Sequence, residues 1–147
     1  MKKALTSLDI YFLVRNLRKE LMGSRIRKIK QKDDVFVFEL YKRKRFFLKI
    51  ILPHAIYVTN SPPRITIYPP NFCMKLRKHL SGEKIMGIEQ HKFDRILKIE
   101  LGKHVLLAEL FSKGNLILLD KDGIIIAVLK QQVWKDRTLK VKKLYKD

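Results

Sequence analysis

The chain has 147 residues, about one domain's worth, and carries 33 Lys and Arg against 14 Asp and Glu, a formal net charge of +19. Its apolar content of 46% is enough for a real core and excludes an intrinsically disordered polymer, while a single cysteine excludes an intramolecular disulfide and any Cys-built zinc site. The opening Met1-Lys2-Lys3-Ala4-Leu5 leads into a stretch broken by Asp9 and Arg15, unlike a signal peptide, and no apolar run is long enough to span a membrane. Abundant Lys and Ile, with only four Gln and four Asn, has a thermophilic cast. Thermophily raises both signs of charge, however, so the positive excess points instead to a polyanionic partner.

Helical spacing of Leu8, Phe12, Leu17 and Leu21, with Leu13 and Val14 beside them, predicts a first helix over about Ser7 to Met22. Thr6 or Ser7 suits its N-cap, Asp9 its first turn and Gly23 its stop. The period then changes. Val35 to Tyr41, Phe46 to Leu52 and Ala55 to Thr59 are short, β-branched and aromatic, and read as strands before an Asn60-Ser61-Pro62-Pro63 loop. Pro69 and Pro70 open a second helix with Phe72, Leu76 and Leu80 on its apolar side and Gly82 as its stop. Strands are predicted again at Lys84 to Gln90, Arg95 to Leu101, Val105 to Phe111, Leu116 to Leu119 and Ile124 to Leu129. Gly102-Lys103, Ser112 to Asn115 and Asp120 to Gly123 read as hairpin connections, and the tail from Trp134 is basic and weakly patterned.

Helix followed by meander, twice, invites a search for a repeat. Leu17-Arg18-Lys19-Glu20-Leu21-Met22-Gly23 matches Leu76-Arg77-Lys78-His79-Leu80-Ser81-Gly82, and the match continues through Ile26/Ile85, Ile29/Ile88 and Gln31/Gln90 at a constant offset of 59. After two inserted residues Glu39-Leu40 matches Glu100-Leu101. The expected fold is therefore α+β: an antiparallel β-sandwich built from two helix-plus-meander pseudo-repeats, roughly 5–67 and 68–133, flanked by two main helices and followed by a basic extension over 134–147. Positions shared by the halves are mostly architecture, so function is sought where they differ.

Phosphate contacts are the natural use of the basic residues. The run from Ser24 to Lys30, including Arg25 and Arg27, puts dense charge on a strand edge, and Lys42-Arg43-Lys44-Arg45 puts it on a connection. The helix pairs Arg18-Lys19 and Arg77-Lys78 add to both. For any one run a solvated surface that blocks strand pairing is the better explanation of the charge; the total, without a compensating acidic block, favours nucleic acid. Asp94-Arg95 opens a predicted strand where the first half has Asp34-Val35, so the arginine breaks the repeat. The pair reads either as a phosphate- or base-contacting arginine oriented by its neighbour, or as a turn aspartate beside a surface arginine. Nothing in the spacing brings Asp9 to Asp94. The four histidines lack metal spacing, Cys73 belongs against the core, and there is no Gly-rich phosphate loop or nucleophile elbow.

The segment from Pro69 to Gly82, followed by Ile85, Ile88, Gln90 and Phe93-Asp94-Arg95-Ile96, resembles the NFACT N-terminal domain family. This is the first module of the ribosome quality-control factors RqcH and NEMF, long named fibronectin-binding protein A. Thr6-Ser7-Leu8-Asp9 through Gly23 and Gly114 to Leu118 fit the same pattern, so the resemblance covers nearly the whole chain. It implies a fold similar to the N-terminal domain of formamidopyrimidine-DNA glycosylases. It also implies a non-enzymatic, cytoplasmic role that engages tRNA on an obstructed large ribosomal subunit and supports C-terminal tailing of the nascent chain, with no cofactor, metal, membrane or small-molecule substrate. The family's required aspartate matches Asp9, and its Asp-Arg pair matches Asp94-Arg95. The glycosylase start, a proline after Met1 and then Glu, is replaced by Lys2-Lys3, and the family's later modules would begin near the end of this chain. A DNA glycosylase or abasic-site lyase on the same fold is the alternative; an extracellular adhesin is disfavoured by the absent signal peptide and disulfides.

Overall fold

A computed structural model describes residues 5–62, 64, 69–134 and 137–146. The start of the chain and the expected 67/68 boundary between halves lie outside these residues. Helix α1 (Ser7–Leu21) begins at Thr6, where a capping box closes: the Asp9 amide donates to Thr6 Oγ1 (3.0 Å) and the Thr6 amide to Asp9 Oδ2 (2.9 Å). Four strands follow, β1 (Arg25–Lys32), β2 (Val35–Lys42), β3 (Lys44–Ile51) and β4 (Ala55–Thr59), paired in chain order as an antiparallel meander. Helix α2 (Asn71–Leu80) leads into a second meander, β5 (Gly87–Gln90), β6 (Ile96–Glu100), β7 (His104–Glu109), β8 (Asn115–Asp120) and β9 (Ile125–Val128). The tail forms a small hairpin, β10 (Gln132–Val133) and β11 (Thr138–Leu139).

Both sheets and both helices contribute to one apolar core, the arrangement of a sandwich flanked by helices. On α1 the buried stripe is Ile10, Val14, Leu17 and Leu21. The expected Leu8 and Phe12 instead face outward, because α1 carries two apolar stripes and only one can meet the core. On α2, Cys73 joins Leu76 and Leu80 inside, and Phe72 is half-buried against Phe36. The tail is more structured than its pattern suggests. Leu139 is buried with Ile96, Leu107, Ile117, Leu119 and Ile125, which covers the other face of the second sheet and explains the unbroken apolar run of β8.

The expected strand from Lys84 is shorter. Before β5, Ile85 pairs with the other half: its amide donates to Ser24 O (2.8 Å) and its carbonyl accepts from the Gly23 amide (2.9 Å). Each bond has a counterpart 59 residues away, from the Ile26 amide to Glu83 O (2.9 Å) and from the Gly82 amide to Ile26 O (2.7 Å). Gly23 and Gly82 both adopt φ +84°, closing the two helices in the same left-handed conformation. The two arginines of the matched helices follow the same exchange. Arg18 Nε donates to Ile88 O (2.7 Å) on β5, and Arg77 Nε to Ile29 O (2.6 Å) on β1. Strands β1 and β5 each end a sheet, so each has backbone groups without a strand partner. The helix of the opposite half covers each edge, and its arginine satisfies an edge carbonyl.

Candidate nucleic-acid interface

The turn between β1 and β2 has two residues, Asp33 and Asp34, whereas that between β5 and β6 has five, His91 to Arg95. The second meander thus has the longer loop at this point. Within it the Asp94 amide donates to His91 O (2.8 Å), and Lys92 and Phe93 have φ of +50° and +61°. Two consecutive positive φ values suit Asn-Gly; a lysine and a phenylalanine hold them here at a cost in backbone energy, a pattern that concentrates at functional sites.

Gln90 fastens this loop to the start of α1. Its Nε2 donates to Ser7 O (2.8 Å) and to Asp94 O (2.7 Å). The first turn of α1, with Asp9, and the Asp94-Arg95 turn therefore share one corner of the fold. Leu8 (55% exposed), Phe12 (53%) and Phe93 (57%) surround it, and the Tyr11 ring bridges Phe12 (5.4 Å) and Phe93 (6.3 Å). The patch leaves apolar side chains and ring faces open beside charged groups. Sequence reasoning missed these apolar residues because core and surface aromatics look alike; the second apolar stripe of α1 was the available signal.

Arg95 is exposed, with Cζ 5.7 Å above the Phe111 ring. Arg137 stacks on the same ring (6.0 Å) and on Tyr145 (5.8 Å), and it forms an ion pair with Glu109, which is 2% exposed. Tyr145 Oη donates to the same carboxylate (2.6 Å), and its ring lies 6.4 Å from that of His91. The tail thereby reaches the 91–95 loop at His91 through Tyr145, and Arg137 shares the Phe111 ring with Arg95. A groove of about 370 Å³ runs between α1 and β5, lined by Tyr11, Val14, Arg15, Arg18, Glu89 and Gln90.

The expected site residues divide into two sets. Asp9 and Arg18 lie on α1, and Asp94 and Arg95 in the β5–β6 turn beside its start. Arg25 and Arg27 on β1, with Arg77 and Lys78 on α2, belong to the counterpart surface. Several of these cations have scaffold bonds: Arg25 Nη1 donates to Gly82 O (3.0 Å), Arg27 stacks on Tyr41 (5.6 Å), and Arg18 and Arg77 cap strand edges. Burial pushes the Cys73 thiol up, partly offset by the charge and hydrogen bond of Arg77. Among the described residues, no group of three His, Cys, Asp or Glu side chains is arranged to hold a metal ion, and no helix is long and apolar enough to cross a membrane.

The model of the NFACT N-terminal and middle domains matches residues 6–146, through α1, the Asp94-Arg95 loop and the tail. The chain belongs to the NFACT family. It is 31% identical to an archaeal Rqc2 homologue, aRqcH, of Methanocaldococcus jannaschii, over 99% of this chain and 23% of that protein. It is 33% identical to ribosome quality control complex subunit 2 of Saccharomyces cerevisiae, over 99% of this chain and 14% of that protein. The chain thus spans less than a quarter of the length of these NFACT relatives. Among solved structures, the N-terminal domain of the fibronectin-binding protein PavA from Streptococcus pneumoniae superposes with a TM-score of 0.86 at 29% identity, covering 96% of this chain and 60% of that one.

Proposed function

We propose that this chain is the RNA-contacting NFACT module of a ribosome quality-control factor, acting in the cytoplasm by binding and not by catalysis. Its partners in this reading are tRNA and the large ribosomal subunit, and its contribution is to hold tRNA while a stalled nascent chain is extended at its C-terminus. The observation that carries the reading is the Gln90 clasp, which brings Asp9, Asp94 and Arg95 to one corner beside exposed rings. Arginine can fork onto a phosphate or a guanine edge, the carboxylates can accept from base amino groups or ribose hydroxyls, and the rings can stack. The remaining positive surface supplies nonspecific, salt-sensitive affinity. In the same reading the 147 residues form one domain of two pseudo-repeats, supported by the hydrogen bonds exchanged at an offset of 59 and related in architecture to the glycosylase N-terminal domain.

The test is tRNA binding by fluorescence anisotropy across a salt series. Asp94→Asn with Arg95→Lys keeps size and the cation at position 95, yet removes the guanidinium fork and replaces the two-oxygen carboxylate with an amide that has one acceptor oxygen and a donor, and is expected to weaken binding about tenfold. Unchanged affinity with an unchanged salt slope would sink the site assignment. Abasic-site DNA treated with borohydride should trap no covalent adduct; a trapped adduct would favour the lyase alternative instead.

A further inference from the structure

The far end of α1 carries a second concentration of charge. A cleft of about 470 Å³ lies between the last turns of α1, the β2–β3 hairpin tip and the end of β4. Lys19, Lys42, Arg43 and Lys44 line it, with Glu20 the one carboxylate and Phe46 and Val58 among the apolar lining. Among the described residues none of these four cations forms an ion pair, whereas the next residue, Arg45, approaches Glu39 at 4.0 Å and stacks on Phe47.

Two features of the tip oppose folding. Lys42 and Lys44 are directly paired across the strands, and like charges so placed repel. Arg43 alone makes the turn, at φ +68°, a conformation that favours glycine. Guarding a sheet edge does not account for the charge, because β2 and β3 are the inner strands of their sheet. A sequence that retains three unpaired cations on a strained turn, with Lys19 of α1 lining the same concave cleft, gains from an anionic occupant.

We propose that this cleft is a discrete phosphate-binding site for the RNA backbone, separate from the Asp9–Asp94–Arg95 corner. It rests on the RNA-binding reading above. Ten residues of α1 separate Asp9 from Lys19, about 15 Å at 1.5 Å per residue, so a partner touching both ends is an extended polyanion several nucleotides long. The concave shape, with cations on the walls, suits a phosphate chain better than the flat face of a bilayer.

The test substitutes Lys42→Gln, Arg43→Gly and Lys44→Gln together in the 147-residue chain. Glycine at position 43 removes charge and relieves the turn, so folding should be kept, and a melting temperature no lower than that of the parent checks this. With tRNA the triple variant should bind about tenfold or more weakly at physiological salt, and the slope of log K against log salt should flatten by about 2, each lost phosphate contact being worth about 0.7–0.9. Arg43→Gly alone should flatten it by about one such step. If the triple variant binds tRNA like the parent while Asp94→Asn with Arg95→Lys does not, the cleft proposal is overturned and the corner stands. If the triple variant loses binding only to vesicles containing phosphatidylserine, the cleft is a lipid site and the proposal is again overturned. Failure of the parent chain to bind tRNA at all would overturn both readings together.

Discussion

Arg77 offers the sharpest contest between a phosphate contact and a piece of scaffold. Ile29 is fully buried, its carbonyl faces the open side of β1, and the Arg77 Nε reaches it at 2.6 Å, with the Cys73 thiol, at 3.4 Å, the one other donor among the described residues. Arg77→Met keeps most of the aliphatic stem, so packing changes little and the hydrogen bond is what goes. A hydrogen bond from a charged group contributes about 1.5–3 kcal/mol; because Arg77 is half-buried and a thiol remains, the expected loss is about 2 kcal/mol. For a chain of this size that corresponds to a fall in melting temperature of about 4–8 °C. Arg18→Met, whose side chain is exposed where that of Arg77 is half-buried, should lose about half as much. Urea unfolding followed by circular dichroism, with the slope checked for constancy, gives the stability. A salt series of tRNA binding on the same samples gives the phosphate count. A loss below about 0.5 kcal/mol, together with a salt slope flattened by about 0.9, would refute the capping role and return Arg77 to the RNA surface.

Gly114→Ala should destabilise by about 2–4 kcal/mol, because φ is +80° and a Cβ there would stand 2.8 Å from Leu52 Cβ and 3.2 Å from Pro53 Cα; Gly82→Ala, at φ +84° but with open space, should lose only about 1 kcal/mol in the same melts. A double-mutant cycle between Glu109→Gln and Arg137→Met should give a coupling above about 1.5 kcal/mol, since either single change leaves a buried charge without its partner; additivity within about 0.5 kcal/mol would show that the tail brace is not energetic. His79 is held below the usual histidine range, first by burial and then by the charges of His104, Lys78 and Lys75. The unfolded chain therefore binds the proton more readily than the folded one. His79's contribution to stability is present above pH ~6.5 and is lost as pH falls through the lower folded value; His79→Gln should flatten the dependence of melting temperature on pH between about 7.5 and 5.

The helices were legible in the sequence because their signals are local. Thr6, Asp9 and Gly23 mark α1, and Pro70 and Gly82 mark α2, within a residue or two of the observed ends. Most strands were legible for the same reason; β1 (Arg25–Lys32) showed only as a charged strand edge because its basic run hides the alternation, and Ile85 reads as strand but joins the Ser24 segment of the other half. The site was only half legible. Breaking the repeat singled out Asp94-Arg95, yet its nearness to Asp9 depends on a glutamine side chain reaching two carbonyls 87 residues apart in sequence, Ser7 and Asp94. Likewise, the choice between the two apolar stripes of α1 depends on what packs against it, which periodicity alone does not contain. The tail gave no pattern because its order comes from single long-range anchors, Leu139, Arg137 and Tyr145, and not from a repeating face.

The exchange of arginines between the halves also sets an order of events during synthesis. When β1 through β4 have left the ribosome, the outer edge of β1 is complete but uncovered, since its cap lies on α2, not yet made. Until Asn71 to Leu80 emerge, the nascent chain presents an open strand able to pair with a neighbouring copy. Slowing translation between β4 and α2 should therefore raise aggregation of this protein more than a pause of equal length placed after α2.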